Sequence, residues 1–233
     1  MSISKENNFV NTKSVYDITK FTQLDYPNQL ACIIWFSGCN MRCDYCYNKD
    51  IVLSKNGVYD LYDVINFLKD RIGLLDAVVL SGGEATDHYL VELCREIKEL
   101  GYKIKLDTNG TNFTNLKELC ELGLIDFVAL DYKAPPSKYK EITKSTKFNE
   151  FSISLQYLIM SDIDFEVRTT LHADLLNEDD INEIIKDLDS RGYKNSYFIQ
   201  EFMETDSNIG NLEAPKSSFD KNKLLDSLDV VFR

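Results

Sequence analysis

The chain has 233 residues, 44% hydrophobic and 27% charged, with a formal net charge of -12. This composition is that of a globular rather than a disordered chain and suits a single domain over 1–233 with one sizeable core. Its acidity repels phosphate backbones and anionic lipid, so no nucleic acid and no membrane is expected as a main partner.

The opening MSISKENNFVNTKS, residues 1–14, is polar and is expected to be disordered. It carries no secretory pattern, and the longest apolar run, LACIIWF, is of strand length and far too short for a bilayer. The expected location is the cytoplasm. Thiols stay reduced there, so clustered cysteines serve metal binding or chemistry rather than disulfides.

That apolar run, Leu30–Phe36, reads as the first strand, and SGCNMRCDYCYNKD follows it. A helix is expected at Leu61–Arg71, where Leu61, Val64, Ile65 and Leu68 share one face. Strand Ala77–Leu80 runs into SGGEA, and helix His88–Leu100 comes next. Strand Lys103–Asp107 ends in DTNG, before a helix at Asn115–Leu122. Strand Phe127–Asp131 ends in DYK and a Pro-Pro loop, before a helix at Phe148–Met160. Strand Phe165–Thr170 precedes a helix at Asn177–Asp189, with Asn177 as a candidate cap and Gly192 beyond its end. Strand Ser196–Phe202, the loop Glu204–Ser218 and a last helix at Lys221–Leu228 complete the reading.

Strands alternating with helices imply a parallel sheet with crossover helices. A full eight-unit barrel takes about 250 residues. The expected fold is therefore α/β, a partial, laterally open (βα)6 TIM-like barrel, with a flat doubly wound sheet as the alternative. In either form ligands gather where the strands end. The chemically loaded segments all follow strands, which puts them on one rim.

Cys39, Cys43 and Cys46 form a C-x3-C-x2-C run, three of the six cysteines. Thiolates suit zinc, copper(I) and iron–sulfur clusters. A structural zinc site would need a further ligand. Cys32, Cys94 and Cys120 lie in an expected strand and expected helices and read as small buried hydrophobes. Three ligands with no obligatory fourth fit a [4Fe–4S] cluster with one iron open.

The run resembles the C-x3-C-x-aromatic-C motif of the radical S-adenosylmethionine superfamily, with Tyr45 as the aromatic. SGGEA, with Ala85 where most relatives have proline, strengthens the likeness. The resemblance implies that the open iron takes the methionine amino and carboxylate groups of S-adenosylmethionine. One-electron cleavage then gives a 5'-deoxyadenosyl radical, which abstracts a hydrogen atom. Gly82 and Gly83 would let main chain approach that ligand, and Glu84 would pair with its ammonium. Without that context SGGEA reads as an ordinary strand-to-helix turn. Tyr45 is implied to lie beside the adenine, where an aromatic on a loop otherwise simply packs.

Residues 21–52, FTQLDYPNQLACIIWFSGCNMRCDYCYNKDIV, resemble the opening of glycyl radical enzyme activating proteins. They are most like the activating protein of anaerobic ribonucleoside-triphosphate reductase. Asn28 stands where relatives often carry Gly, and Tyr47 where they carry His or Trp, which leaves the role of Tyr47 unassigned. KLDTNG and ALDYK are similar to segments of the pyruvate formate-lyase activating enzyme. That likeness implies a monovalent cation at Asp107, Thr108 and Asp131, a contact from Lys133 to the methionine carboxylate, and a further polar contact from Arg168. Carboxylates on neighbouring strand ends repel unless a cation sits between them. The plainer reading makes Asp107 a turn former and Asp131 and Lys133 a solvated pair.

The expected function is thus an activase that installs a glycyl radical on a partner, anaerobic ribonucleotide reductase first. Flavodoxin or ferredoxin would donate the electron. The alternatives are activation of another glycyl radical enzyme such as pyruvate formate-lyase, a radical enzyme acting on a small molecule, and a non-catalytic zinc or cluster module. No role is assigned to Glu204–Ser218.

Overall fold

The computed structural model describes residues 13–205 and 207–233. Residues 1–12 of the expected disordered opening lie outside them. Its strands are β1 (Val15–Thr22), β2 (Ala31–Phe36), β3 (Ala77–Gly82), β4 (Lys103–Thr108), β5 (Phe127–Asp131), β6 (Asp164–Leu171), β7 (Tyr197–Glu201) and β8 (Val230–Phe232). The helices are α1 (Lys49–Leu53), α2 (Leu61–Lys69), α3 (Val91–Glu99), α4 (Phe113–Glu121), α5 (Tyr139–Thr143), α6 (Phe148–Met160) and α7 (Glu178–Ser190). Neighbouring strands in the sheet follow chain order from β1 to β8. β2 to β7 are the strands expected from sequence, each followed by a helical or loop connection. The α/β class is as expected.

The described chain forms two compact units, whose segments alternate along the sequence. The first takes the residues up to Asn40, Asp50–Thr108 and Thr114–Val128. In it β1 pairs antiparallel with β2, and β2, β3 and β4 pair in parallel. The parallel strands are apolar runs buried on both faces, as crossover helices require: Ile34, Val78, Leu80, Ile104 and Leu106 are fully buried. One core cluster joins Tyr26, Ala31, Ile33, Ala77 and Val79, with Trp35 and Phe127 against it. α2 begins with a capping box between Asp60 and Asp63 and buries Val64, Ile65 and Leu68.

The second unit takes Met41–Lys49, Asn109–Phe113 and Ala129–Arg233. Here β6, β7 and β8 pair in parallel. α6 turns Phe151, Leu155 and Leu158 inward. Phe151 meets Tyr132 edge-on at 4.6 Å between ring centroids, a favoured aromatic geometry. Asn177 caps α7 in a capping box with Asp180, as its sequence position predicts.

Two strands differ from expectation. β1 buries only Val15, and β8 is short and half-buried throughout. β1, VYDITKFT, lacks the apolar run that marks a strand, and β8, VVF, is apolar but only three residues long. The expected helix at Lys221–Leu228 is only a 3-10 turn, Lys221–Lys223. The Leu225 N–H donates to Asn182 Oδ1 at 2.8 Å, and Asn182 Nδ2 donates to the Lys223 carbonyl at 3.0 Å. Those bonds hold the chain extended so that it can return as β8.

Candidate active site

In the first unit the polar residues collect where β2, β3 and β4 end. Leaving β2, the chain turns at Gly38, with φ +81°, and its N–H donates to the Ile51 carbonyl at 2.8 Å. SGG packs directly on this turn. The Gly83 N–H donates to the Phe36 carbonyl and the Glu84 N–H to the Gly38 carbonyl, both at 2.9 Å. Gly82 has φ +119°, and a Cβ there would lie 2.3 Å from the Phe36 nitrogen. A Cβ on Gly83 would lie 1.7 Å from the Gly38 oxygen and 3.2 Å from Cys39 Cβ. The room these glycines leave is taken by the backbone running from Trp35 to Cys39.

Glu84 is 2% exposed. Its Oε1 accepts from the Thr86 N–H at 3.1 Å, from Thr86 Oγ1 at 2.6 Å and from Thr108 Oγ1 at 2.7 Å. It caps the 3-10 turn Ala85–Asp87 and binds Thr108 to the end of β3. Asp107 carries a partner that the sequence reading missed. Lys105, 2% exposed, places Nζ 2.7 Å from Asp107 Oδ1, and Ser81 Oγ donates to Oδ2 at 3.1 Å. The signal was present: Lys105 and Asp107 are two apart on one strand and therefore share a face.

In the second unit Asp131 ends β5 between two cations. Lys133 Nζ donates to its Oδ2 at 2.9 Å, and Arg168 Nε donates to its Oδ1. Burial alone would raise the Asp131 pKa, but Arg168 and Lys133 hold it well below the usual carboxylate range. Burial pulls Lys133 down, and Asp131 more than reverses this, so its ammonium is held above its ordinary range. Cys43 is 5% exposed; burial pushes its thiol up to about 12, against the opposing charge of Lys133. The Tyr45 ring is buried, and its hydroxyl donates to the Lys133 carbonyl at 3.1 Å. Tyr47 is half-exposed and lies within electrostatic reach of Arg168, Lys133 and Asp131. Cys43, Tyr45, Tyr47, Asp131, Lys133 and Arg168 thus form one neighbourhood of this unit.

The other cysteines behave as small hydrophobes. Cys32, Cys94 and Cys120 are buried, and burial pushes each thiol up to about 12. His88 Nε2 donates to the Ser37 carbonyl, and His172 Nε2 to the Glu213 carbonyl, each at 2.9 Å.

Cys39, Cys43 and Cys46 form no disulfide. Among the described residues no group of three or more His, Cys, Asp or Glu side chains is arranged to hold a single metal ion. A four-iron cluster makes a different demand, because its thiolates bind separate irons. Three unbridged thiols on one short stretch fit that donor set. Among the described residues no helix is long and apolar enough to cross a membrane.

Residues 33–197 match the family described as the Radical SAM superfamily. A Methanocaldococcus jannaschii protein named "Putative glycyl-radical enzyme activating enzyme" is 35% identical over 209 residues, covering 83% of this chain and 81% of that one. The pyruvate formate-lyase-activating enzyme of Streptococcus mutans is 31% identical over 146 residues, 57% of this chain and 55% of that one. The solved structure of Streptococcus suis SuiB bound to S-adenosylmethionine superposes with a TM-score of 0.64 at 13% identity, over 86% of this chain and 51% of that one. Native anSMEcpe with bound AdoMet gives a TM-score of 0.59 at 18% identity, over 72% of this chain and 50% of that one. This chain spans about half the length of those two solved chains, and the likeness shows a shared fold, the open α/β barrel.

Proposed function

The chain belongs to the radical SAM superfamily, and we propose that it is the activase of a glycyl radical enzyme, with anaerobic ribonucleoside-triphosphate reductase as its partner. The observation that carries the activase reading is the 35% identity to a relative named for that activity, over most of both chains. The choice of partner rests on residues 21–52. The similarity to pyruvate formate-lyase-activating enzymes supports the competing partner.

An enzyme of this superfamily uses a [4Fe–4S] cluster and S-adenosylmethionine. When both are bound, the chemistry they supply is reductive cleavage of the sulfonium and removal of a hydrogen atom, here from a glycine Cα. Cys39, Cys43 and Cys46 are the residues that would hold the cluster. Gly82 and Gly83 fix the backbone beside Cys39, and Glu84 presents a buried carboxylate to the methionine ammonium. Lys133 would contact the methionine carboxylate and Arg168 would add a further polar contact, while both pair with Asp131. Tyr45, whose ring is buried, would lie beside the adenine. Asp107, Thr108 and Asp131 remain the residues for a monovalent cation, with Lys105 already supplying one positive charge to Asp107. Flavodoxin or ferredoxin provides the electron in the cytoplasm, and residues 1–233 act as one catalytic domain.

The test is an anaerobic electron paramagnetic resonance experiment with reconstituted, reduced protein, S-adenosylmethionine and the host's anaerobic ribonucleotide reductase. A glycyl doublet on the reductase is expected. A doublet only on pyruvate formate-lyase would transfer the partner, and 5'-deoxyadenosine without either doublet would redirect the chemistry to a small molecule. Neither product, with a full cluster in place, would overturn the activase reading.

A further inference from the structure

The stretch around Cys46 is held from both sides within the second unit. On one side the Arg42 N–H donates to the Thr143 carbonyl at 2.9 Å and the Asp44 N–H to the Ile142 carbonyl at 3.2 Å, both at the end of α5. Lys144 Nζ adds an ion pair to Asp44 at 2.7 Å. On the other side lies the segment after β7. There the Ile209 N–H donates to the Cys46 carbonyl at 3.0 Å and the Gly210 N–H to the Asp44 carbonyl at 2.7 Å. The backbone of Asp44 is therefore bonded through both its N–H and its carbonyl.

This second partner is itself anchored. Asn208 is 2% exposed; its Oδ1 accepts from the Leu212 N–H at 2.7 Å and its Nδ2 donates to the Leu212 carbonyl at 2.8 Å. His172 holds the Glu213 carbonyl. Asp174 accepts from the N–H groups of Lys216, at 3.0 Å, and Ser217, at 2.7 Å. Contact with the cysteine stretch is too close for any side chain at Gly210. A Cβ there would lie 2.7 Å from Asp44 Cβ, 2.8 Å from its carbonyl oxygen and 3.0 Å from its Cα.

We propose that residues 207–217 are a positioning strap, which fixes the backbone on either side of Cys46 and thereby sets how firmly Cys43 and Cys46 hold the cluster. The inference rests on the cluster assignment above. The short stretch carrying these two cluster ligands is a turn with no helix or strand up to Asn48, in which the Cys46 N–H donates to the Cys43 carbonyl at 3.0 Å. Rigid ligand geometry must come from supporting contacts outside the ligands, and such contacts govern metal retention. Gly210 and Asn208 are positioning residues in this sense, for neither is a ligand.

Two variants test the strap. Gly210→Ala forces the strap off Asp44, and Asn208→Ala loosens its turn without adding an atom at the contact. Each is prepared as full-length chain, reconstituted anaerobically with iron and sulfide, and assayed for iron content and for the rate of cluster bleaching by an iron chelator. Amide hydrogen exchange across residues 41–47 is measured on the metal-free protein in parallel. Bleaching about tenfold faster than wild type is expected in both variants, with faster exchange at Asp44 and Cys46 and an unchanged far-ultraviolet spectrum. Unchanged exchange in both variants overturns the strap, whatever the metal does. Faster exchange with wild-type bleaching rates overturns its link to the cluster. Wild-type protein that takes up no iron overturns the cluster assignment instead, and the exchange arm still decides the strap.

Discussion

Lys105 shows how much chemistry a strand can hide. It sits between Ile104 and Leu106 in β4 and is as buried as they are. Its ammonium is tolerable there because Asp107 lies 2.7 Å away, with side chains only 3% and 12% exposed. Removing one member of such a pair strands a charge and typically costs about 3–5 kcal/mol, whereas removing both costs much less. Lys105→Met is therefore expected to lower unfolding stability by about 3 kcal/mol, and adding Asp107→Asn to recover most of that loss. Urea denaturation of the two single variants and the double variant checks this. A double variant no better than the sum of the singles would mean that the two groups do not neutralise one another. The Asp107 carboxylate was legible in DTNG as a candidate ligand. Its partner was not, because a lysine within an apolar strand looks like a solvated interruption until the face it shares with Asp107 is considered.

At the scale of elements, legibility followed burial. β2 to β5 are short runs with few exposed positions, so composition alone marked them. β1 and β8 are edge elements with scarcely any fully buried side chains, and their strand character comes from pairing with a neighbour. Asp131 ends β5, whereas Arg168, expected near a strand end, lies within β6 three residues before Leu171. The pairing of Asp131 with Lys133 was one reading of the sequence, but its pairing with Arg168, 37 residues on, was not evident from spacing. That trio makes a pH prediction. The Asp131 pKa is depressed in the folded chain, and an unfolded aspartate titrates near about 3.9. Its contribution is therefore complete above about pH 4 and is lost as pH falls through the lower folded value. Asp131→Asn should be destabilised at pH 7 by about 3 kcal/mol, and the gap to wild type should narrow as pH falls below about 4. Denaturation curves at pH 7 and at progressively lower pH decide it. A gap that stays constant would place the cost in packing rather than charge.

Over the whole molecule, the sequence was most informative about cofactor chemistry and least about the partner. Cysteine spacing is a local property of the chain, whereas a docking surface is distributed over many residues that no short motif records. The cofactor reading has a consequence for the entire chain through linkage. A ligand that binds only the folded state stabilises it by about 2.7 kcal/mol when its free concentration is one hundred times its Kd. In a domain of this size each kcal/mol moves the midpoint by about 2–4 °C. Saturating S-adenosylmethionine should therefore raise the anaerobic melting midpoint of cluster-loaded protein by about 5–10 °C. The same addition to Cys46→Ala should give little shift, because that variant would lack one of the three thiols proposed to hold the cluster. Cys94→Ala should behave as wild type, since that thiol is buried on α3. A full shift in Cys46→Ala would show that S-adenosylmethionine binds this chain without the cluster. In that case Glu84, Lys133 and Arg168 would carry the binding by themselves, and the three thiols would need another purpose.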